Sequence, residues 1–299
     1  MARGGIKPGP GLAAYLEATK SADILFGAVQ KHILVKATRP DGRRQDVLHP
    51  SEMIKPDWCH RAAFYKLLNP PPKGPTTFVR ENVFQEGHNT HAKWQKWLQE
   101  MKRLGGDWYC ESCRQTFWDD ETPELCQLCS SPLLTYAEVP LNAPALTIGG
   151  KSDGYCPEDN CLIEIKTLGL GSIRFEDPKF LAKYELEMEG RGQVVDLVRM
   201  WRDFRRPLPQ ALRQGQLYLY LARHFEDLWV DRITYFYEFK PTQEAKSFTV
   251  LYDESISEPA IEGAQLITDA LAAGRPPRCN INPGGSCKNC RALDTAGAA

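Results

Sequence analysis

Four cysteines in the stretch CESCRQTFWDDETPELCQLC constrain this chain more than any other feature. They are Cys110, Cys113, Cys126 and Cys129, spaced C-x₂-C-x₁₂-C-x₂-C. Each C-x₂-C pair folds into a tight knuckle, and two knuckles together supply a tetrahedral thiolate set. The spacing predicts a structural zinc ribbon over 108–132, closed by Pro132. Its aromatics, Trp108, Tyr109, Phe117 and Trp118, are read as the packing of a small module rather than as a stacking surface for bases.

The chain has ten cysteines in all. Cys59 stands alone, Cys279, Cys287 and Cys290 cluster in RCNINPGGSCKNC, and Cys156 and Cys161 flank PEDN. The opening MARGGIKPGPG is basic and Gly/Pro-rich with no apolar core behind it, so it does not read as a signal peptide. The expectation is a cytoplasmic protein with reduced thiols, in which clustered cysteines bind metal and Cys156 and Cys161 have no assigned role. At 42% hydrophobic and 25% charged, the composition is that of an ordinary globular chain, and no apolar run is long enough to span a membrane. A net charge of -1 argues against a non-specific coat on nucleic acid. Local basic patches remain available: Lys179 and Lys183, then Arg199, Arg202, Arg205 and Arg206, with Lys240 and Lys246 beside a later turn.

Helical segments are expected on both sides of Pro56, and one or two short elements over 11–36. FVRENVFQEGHNTHAKWQKWLQEMKRLGG reads as a long amphipathic helix with Phe84, Gly87, His91, Trp94, Leu98 and Met101 on one face. LLTYAEVPL, LTIGGKSDGY and CLIEIKT read as strands, 179–205 as helical, and ALRQGQLYLYLARHF as a helix. WVDRITYFYEF and KSFTVLYD follow as strands, and SEPAIEGAQLITDALAAG as a last helix. Strands enclosed by helices predict an α/β layer fold, a mixed central sheet flanked by helices.

The hairpin GKSDGYCPEDNCLIEIKT, residues 150–167, carries the chemistry. Asp153 ends one strand, and Glu164 and Lys166 lie two apart in the next, on one face. Ionisable groups beside an apolar strand are costly unless they bind something. Two converging carboxylates suit a hard divalent cation, Mg²⁺ or Mn²⁺. A lysine beside it can stabilise charge developing on a phosphate.

The Asp–x₁₀–Glu–x–Lys spacing resembles the core of the PD-(D/E)XK nuclease superfamily, and GHNTH resembles the G-x-x-x-H helix of its RecB-like branch. The resemblance implies a restriction-endonuclease-like core, with His91, Asp153 and Glu164 as metal ligands and the Ile165 carbonyl as a further one. It also implies a glutamate at Glu138 and a Q-x-x-x-Y pair at Gln216 and Tyr220 approaching the active site and substrate. Cys59 with the three late cysteines resembles the iron–sulfur staple of RecB-type exonucleases associated with CRISPR adaptation, which implies a [4Fe–4S] cluster. The C-x₂-C pair comes last here instead of first, so a Cys₄ zinc site stays open beside it.

The domain organisation expected is an irregular N-terminal region over 1–50 and a nuclease core over 51–107 and 133–274. The ribbon interrupts that core at 108–132, and residues 275–299 close a metal site with Cys59. The function expected is a metal-dependent DNA exonuclease, a phage-type stand-alone member. It would act on single strands or free ends, away from any membrane and beside a recombination or replication partner. A structure-specific endonuclease and a nucleic-acid-binding scaffold with an inactive centre are the alternatives.

Overall fold

The computed structural model describes residues 25–39, 42–188 and 192–294. In chain order the helices are α1 (Phe26–Ala37), α2 (Pro50–Met53), α3 (His60–Leu68), α4 (Phe78–Glu100), α5 (Leu170–Glu176) and α6 (Pro178–Ala182). Then come α7 (Leu197–Asp203), α8 (Pro209–Phe225), α9 (Glu254–Ala272) and α10 (Lys288–Asp294). The strands are β1 (Gly106–Cys110), β2 (Thr116–Asp119), β3 (Leu134–Tyr136), β4 (Val139–Ala143), β5 (Ile148–Ser152) and β6 (Gly154–Cys156). They continue with β7 (Cys161–Leu168), β8 (Glu185–Met188), β9 (Gly192–Val195), β10 (Arg232–Phe239) and β11 (Glu244–Leu251).

The chain divides into two compact units. Of the described residues, the first takes 25–39, 42–43 and 72–85, and holds α1 together with the first turns of α4. Phe26 and Phe78 meet edge-on there at 5.5 Å between ring centres, and no α1 side chain is buried. Of the N-terminal segment expected over 11–36, residues 11–24 lie outside those described.

The second unit takes 44–71 and the chain from Glu86. Its centre is a four-stranded mixed sheet ordered β11-β10-β7-β6. β7 runs parallel to β10 and antiparallel to β6, and β11 runs antiparallel to β10. The parallel β7–β10 pair needs a long crossover, which α5 to α8 and the β8–β9 hairpin supply. The residues of β7 from Cys161 to Ile165 are all buried, because both faces of the strand are covered. Leu162 and Leu168 join the main core under α8 and α9, while Ile163 and Ile165 pack with Leu98, Leu104 and Trp108 on the other face. α8 can lie on the sheet because of Gly215: a Cβ there would meet the Tyr235 hydroxyl oxygen at 2.0 Å.

Three expectations change. The segment 179–205 is not one helix but α6, the β8–β9 hairpin and α7. LLTYAEVPL is two strands, broken at Glu138, whose φ of 70° is left-handed. β3 then pairs with β1, and β4 with β5. On the α4 face, Trp94 and Leu98 pack inward, but Phe84 is 48% exposed and covered by the Arg80 guanidinium. Met101 is 60% exposed, just before Lys102 turns the chain with φ 58°.

Candidate active site

Asp153 owes its place to a second broken strand. β5 and β6 are one run of chain interrupted at this residue, and β6 stops pairing with β7 at Gly154↔Ile163. Beyond that point, among the described residues, no strand pairs with this edge of β7. The Asp153 side chain takes over, its Oδ2 accepting the Ile165 N–H at 2.6 Å. A strand residue directs its N–H and C=O to the same edge, so the Ile165 carbonyl points the same way.

α4 closes this side. His91 Nδ1 lies 3.1 Å from Asp153 Oδ1, and Gln95 Nε2 donates to the Asp153 carbonyl at 2.9 Å. Burial works against the His91 imidazolium, but the hydrogen bond to Asp153 and the charges of Asp153 and Glu164 outweigh it and raise the ring above its ordinary range. Glu138 adjoins the same group. Burial raises its carboxyl, and the Asp153 charge adds to the shift. Gly87, one turn before His91, is not enforced by packing, since a Cβ there would meet only Thr167 Oγ1 at 3.9 Å.

Glu164 and Lys166 share the other face of β7, under α8. Glu164 is 3% exposed, and its Oε1 lies 2.5 Å from Lys166 Nζ. Burial pushes the Glu164 carboxyl up, the Lys166 ammonium pulls it down, and Asp153 adds to the rise. Lys166 is raised too: desolvation opposes its charge, but Glu164 and Asp153 favour it more. Lys166 Nζ also donates to Gln214 Oε1 at 3.1 Å, and Gln214 Nε2 donates to the Tyr218 hydroxyl at 2.7 Å. The result is a buried chain from Glu164 through Lys166 and Gln214 to Tyr218. The second Glu164 oxygen, Oε2, is buried with no hydrogen-bond partner. An unpartnered buried carboxylate oxygen is costly, and a cation beside it would satisfy it. Carboxylates and a backbone carbonyl are the hard donors that Mg²⁺ or Mn²⁺ takes, and the imidazole is a borderline donor that suits Mn²⁺ better than Mg²⁺.

The structure therefore forms two pairs, His91 with Asp153 and Glu164 with Lys166, near enough for their charges to act on one another, and Asp153 is tied to the β7 edge at the Ile165 N–H. The structure does not bring Gln216 and Tyr220 there. Gln216 Nε2 donates to the Leu251 carbonyl at 2.8 Å, and its Oε1 accepts the Asp253 N–H at 2.7 Å, tying α8 to the end of β11. Tyr220 packs on His224 with ring centres 4.4 Å apart. The residue that meets Lys166 is Gln214, held in turn by Tyr218, an overlapping Q-x-x-x-Y two positions earlier. Two helical positions are a rotation of about 200°, so both pairs cannot face one site. Gln95 was also missed, lying one turn beyond His91 on α4.

The basic residues divide. Lys183, Arg205 and Arg206 line a cavity of about 430 Å³ with Asp177 and Asp203. Arg206 pairs with Asp177 at 3.3 Å and Arg202 with Asp203 at 3.1 Å. Lys246 is committed elsewhere, donating to the carbonyls of Trp201, Arg202 and Phe204 at the end of α7.

Among the described residues, the groups of three or more His, Cys, Asp or Glu whose ligand atoms all lie within 4.8 Å of one another are two cysteine quartets; His91, Asp153 and Glu164 do not stand that close together. One is Cys110, Cys113, Cys126 and Cys129, on a three-stranded antiparallel sheet ordered β2-β1-β3. Trp108 is fully buried in this region, and Trp118 lies over the Tyr155 ring. The other is Cys59, Cys279, Cys287 and Cys290, which joins the start of α3 to α10. Cys156 and Cys161 are opposite each other in register and free. No described helix is long and apolar enough to cross a membrane.

No protein-family model matches the chain, and no curated protein matches it. Solved structures resemble it distantly. An alkaline exonuclease from Laribacter hongkongensis, LHK-Exo, is 11% identical with a TM-score of 0.44, covering 90% of this chain and 98% of its own. The same enzyme in complex with dAMP gives 11% identity and a TM-score of 0.42, covering 77% of this chain and 90% of its own. A structure described as SSO0001 is 12% identical with a TM-score of 0.36, covering 84% and 88%.

Proposed function

We propose that this chain is a metal-dependent deoxyribonuclease of the RecB-like PD-(D/E)XK type, acting as an exonuclease. One observation carries the reading. Asp153 and Glu164 are set beside Lys166 where a strand breaks, and Glu164 keeps one buried oxygen without a partner. His91, Asp153, Glu164 and the Ile165 carbonyl are the groups that would hold Mg²⁺ or Mn²⁺. Such an ion, when bound, supplies Lewis-acid polarisation of a phosphate and a more acidic water. Glu164 and Gln214 hold the Lys166 ammonium from two sides. That fixes a positive charge where negative charge would grow on a phosphate oxygen. Tyr218 fixes Gln214 in turn. Lys183, Arg205 and Arg206 offer charge for the strand beyond the reacting phosphate. DNA as substrate rests on the sequence resemblance, and Lys183 and Arg205 in this mixed-charge cavity are compatible with it. A recombination or replication partner and a phage origin belong to the same reading.

The test is cleavage of end-labelled linear and closed circular single-stranded DNA with Mn²⁺, with Lys166→Ala alongside. Loss of the linear DNA alone, abolished in the variant, supports the exonuclease. Cut circles make it an endonuclease. DNA binding without cleavage by the intact protein makes it a scaffold with an inactive centre.

A further inference from the structure

The late cysteine group does not have the dimensions that an iron–sulfur staple requires. Cys59 Sγ and Cys279 Sγ are 3.8 Å apart, as are Cys287 Sγ and Cys290 Sγ. All four sulfurs lie within 4.8 Å of one another. A tetrahedron with 3.8 Å edges has its centre about 2.3 Å from each corner, which is the zinc–thiolate bond length. A [4Fe–4S] cluster binds each thiolate through a separate iron, with sulfides between the irons. Its four thiolates must therefore stand farther apart than those around one ion, and this cage has no room for it.

The ribbon provides an internal standard. Its C-x₂-C-x₁₂-C-x₂-C spacing is that of a zinc site, and its sulfurs stand 3.6 Å apart at Cys110–Cys129 and 3.8 Å at Cys113–Cys126. The two groups have the same dimensions although only a single C-x₂-C pair is common to their sequence patterns. Backbone N–H groups also turn toward the sulfurs in both. Ala62 donates to Cys59 Sγ at 3.4 Å, Asn282 to Cys279 Sγ at 3.3 Å, and Leu128 to Cys126 Sγ at 3.4 Å. Such donors favour the thiolate, the form that binds metal.

We propose that Cys59, Cys279, Cys287 and Cys290 hold a single tetrahedral zinc ion, and that the chain carries two structural zincs and no iron–sulfur cluster. The site is then a redox-silent clasp. It joins the start of α3 to Cys279, 220 residues on, and to α10 through Cys290, whatever the carboxylate centre does.

The experiment is elemental and sulfide analysis of full-length protein, made in iron- and zinc-supplemented cells and purified anaerobically. Cys290→Ser and Cys113→Ser are run in parallel. The expected result is two zincs per chain, negligible iron and sulfide, and no visible absorption. Each variant should lose one zinc and keep the other, and cobalt substitution should give tetrahedral thiolate bands for two sites. Iron with equimolar sulfide and broad visible absorption overturns the proposal. So does a single iron without sulfide, or one zinc per chain that Cys113→Ser removes. If a variant does not fold, the metal content of the unmodified protein still decides.

Discussion

Gln214 and Gln216 lie two residues apart on α8, and truncating each should have opposite consequences. Gln214→Ala removes the acceptor of the Lys166 ammonium and the donor to Tyr218. A hydrogen bond to a charged group is worth about 1.5–3 kcal/mol. If that energy serves to place Lys166 in the transition state, kcat should fall by about 10- to 150-fold. KM should change little, because Gln214 acts through Lys166. Gln216→Ala removes two bonds that join α8 to the β11–α9 connection and leaves the Leu251 carbonyl and Asp253 N–H without them. The cost should be about 2–4 kcal/mol of stability, with kcat per folded molecule unchanged. Urea unfolding and steady-state DNA cleavage on both variants separate the effects. Gln216→Ala losing kcat at full stability, with Gln214→Ala active, would refute this assignment.

Three further outcomes are expected. Gly87→Ala should raise stability by about 1 kcal/mol in differential scanning calorimetry, because the helix gains alanine's propensity and the new Cβ meets only Thr167 Oγ1 at 3.9 Å. Lys246→Met should lower stability by about 2–3 kcal/mol, read as a lower urea midpoint at unchanged slope, since three carbonyls at the end of α7 lose their shared cationic donor. Mn²⁺ at a hundred times its Kd should stabilise the intact protein by about 2.7 kcal/mol in thermal unfolding, and Asp153→Ala should show no such gain.

Much of this architecture can be read from short patterns in the chain. Alternation in CLIEIKT sets Glu164 and Lys166 on one face of a strand, and the cysteine spacing gathers the ribbon group, whereas Cys59 joins the three late cysteines only through the family resemblance. Breaks in strands are harder to read. Glu138 adopts a left-handed φ and Asp153 replaces a ladder bond with its side chain, and neither event has a residue-type signature. The segment 179–205 was misjudged for a different reason. Its apolar residues suit a helix, but Gly190 and Gly192 in the sequence weaken one, and β8 and β9 pair antiparallel.

The register of α8 shows what decides such cases. RQGQLYLY contains two Q-x-x-x-Y pairs, and helical period alone cannot rank them. The glycine between the glutamines can. Gly215 is where the helix touches the sheet, against Tyr235 on β10. At about 100° per residue, its neighbours must diverge to opposite sides of that contact. The sheet order β11-β10-β7 then assigns them: Gln214 reaches Lys166 on β7, and Gln216 reaches Leu251 at the end of β11. A small residue flanked by two amides on a buried helix thus marks the point of closest approach. The identity of the strand beneath it, which only the tertiary fold supplies, determines which amide serves the site.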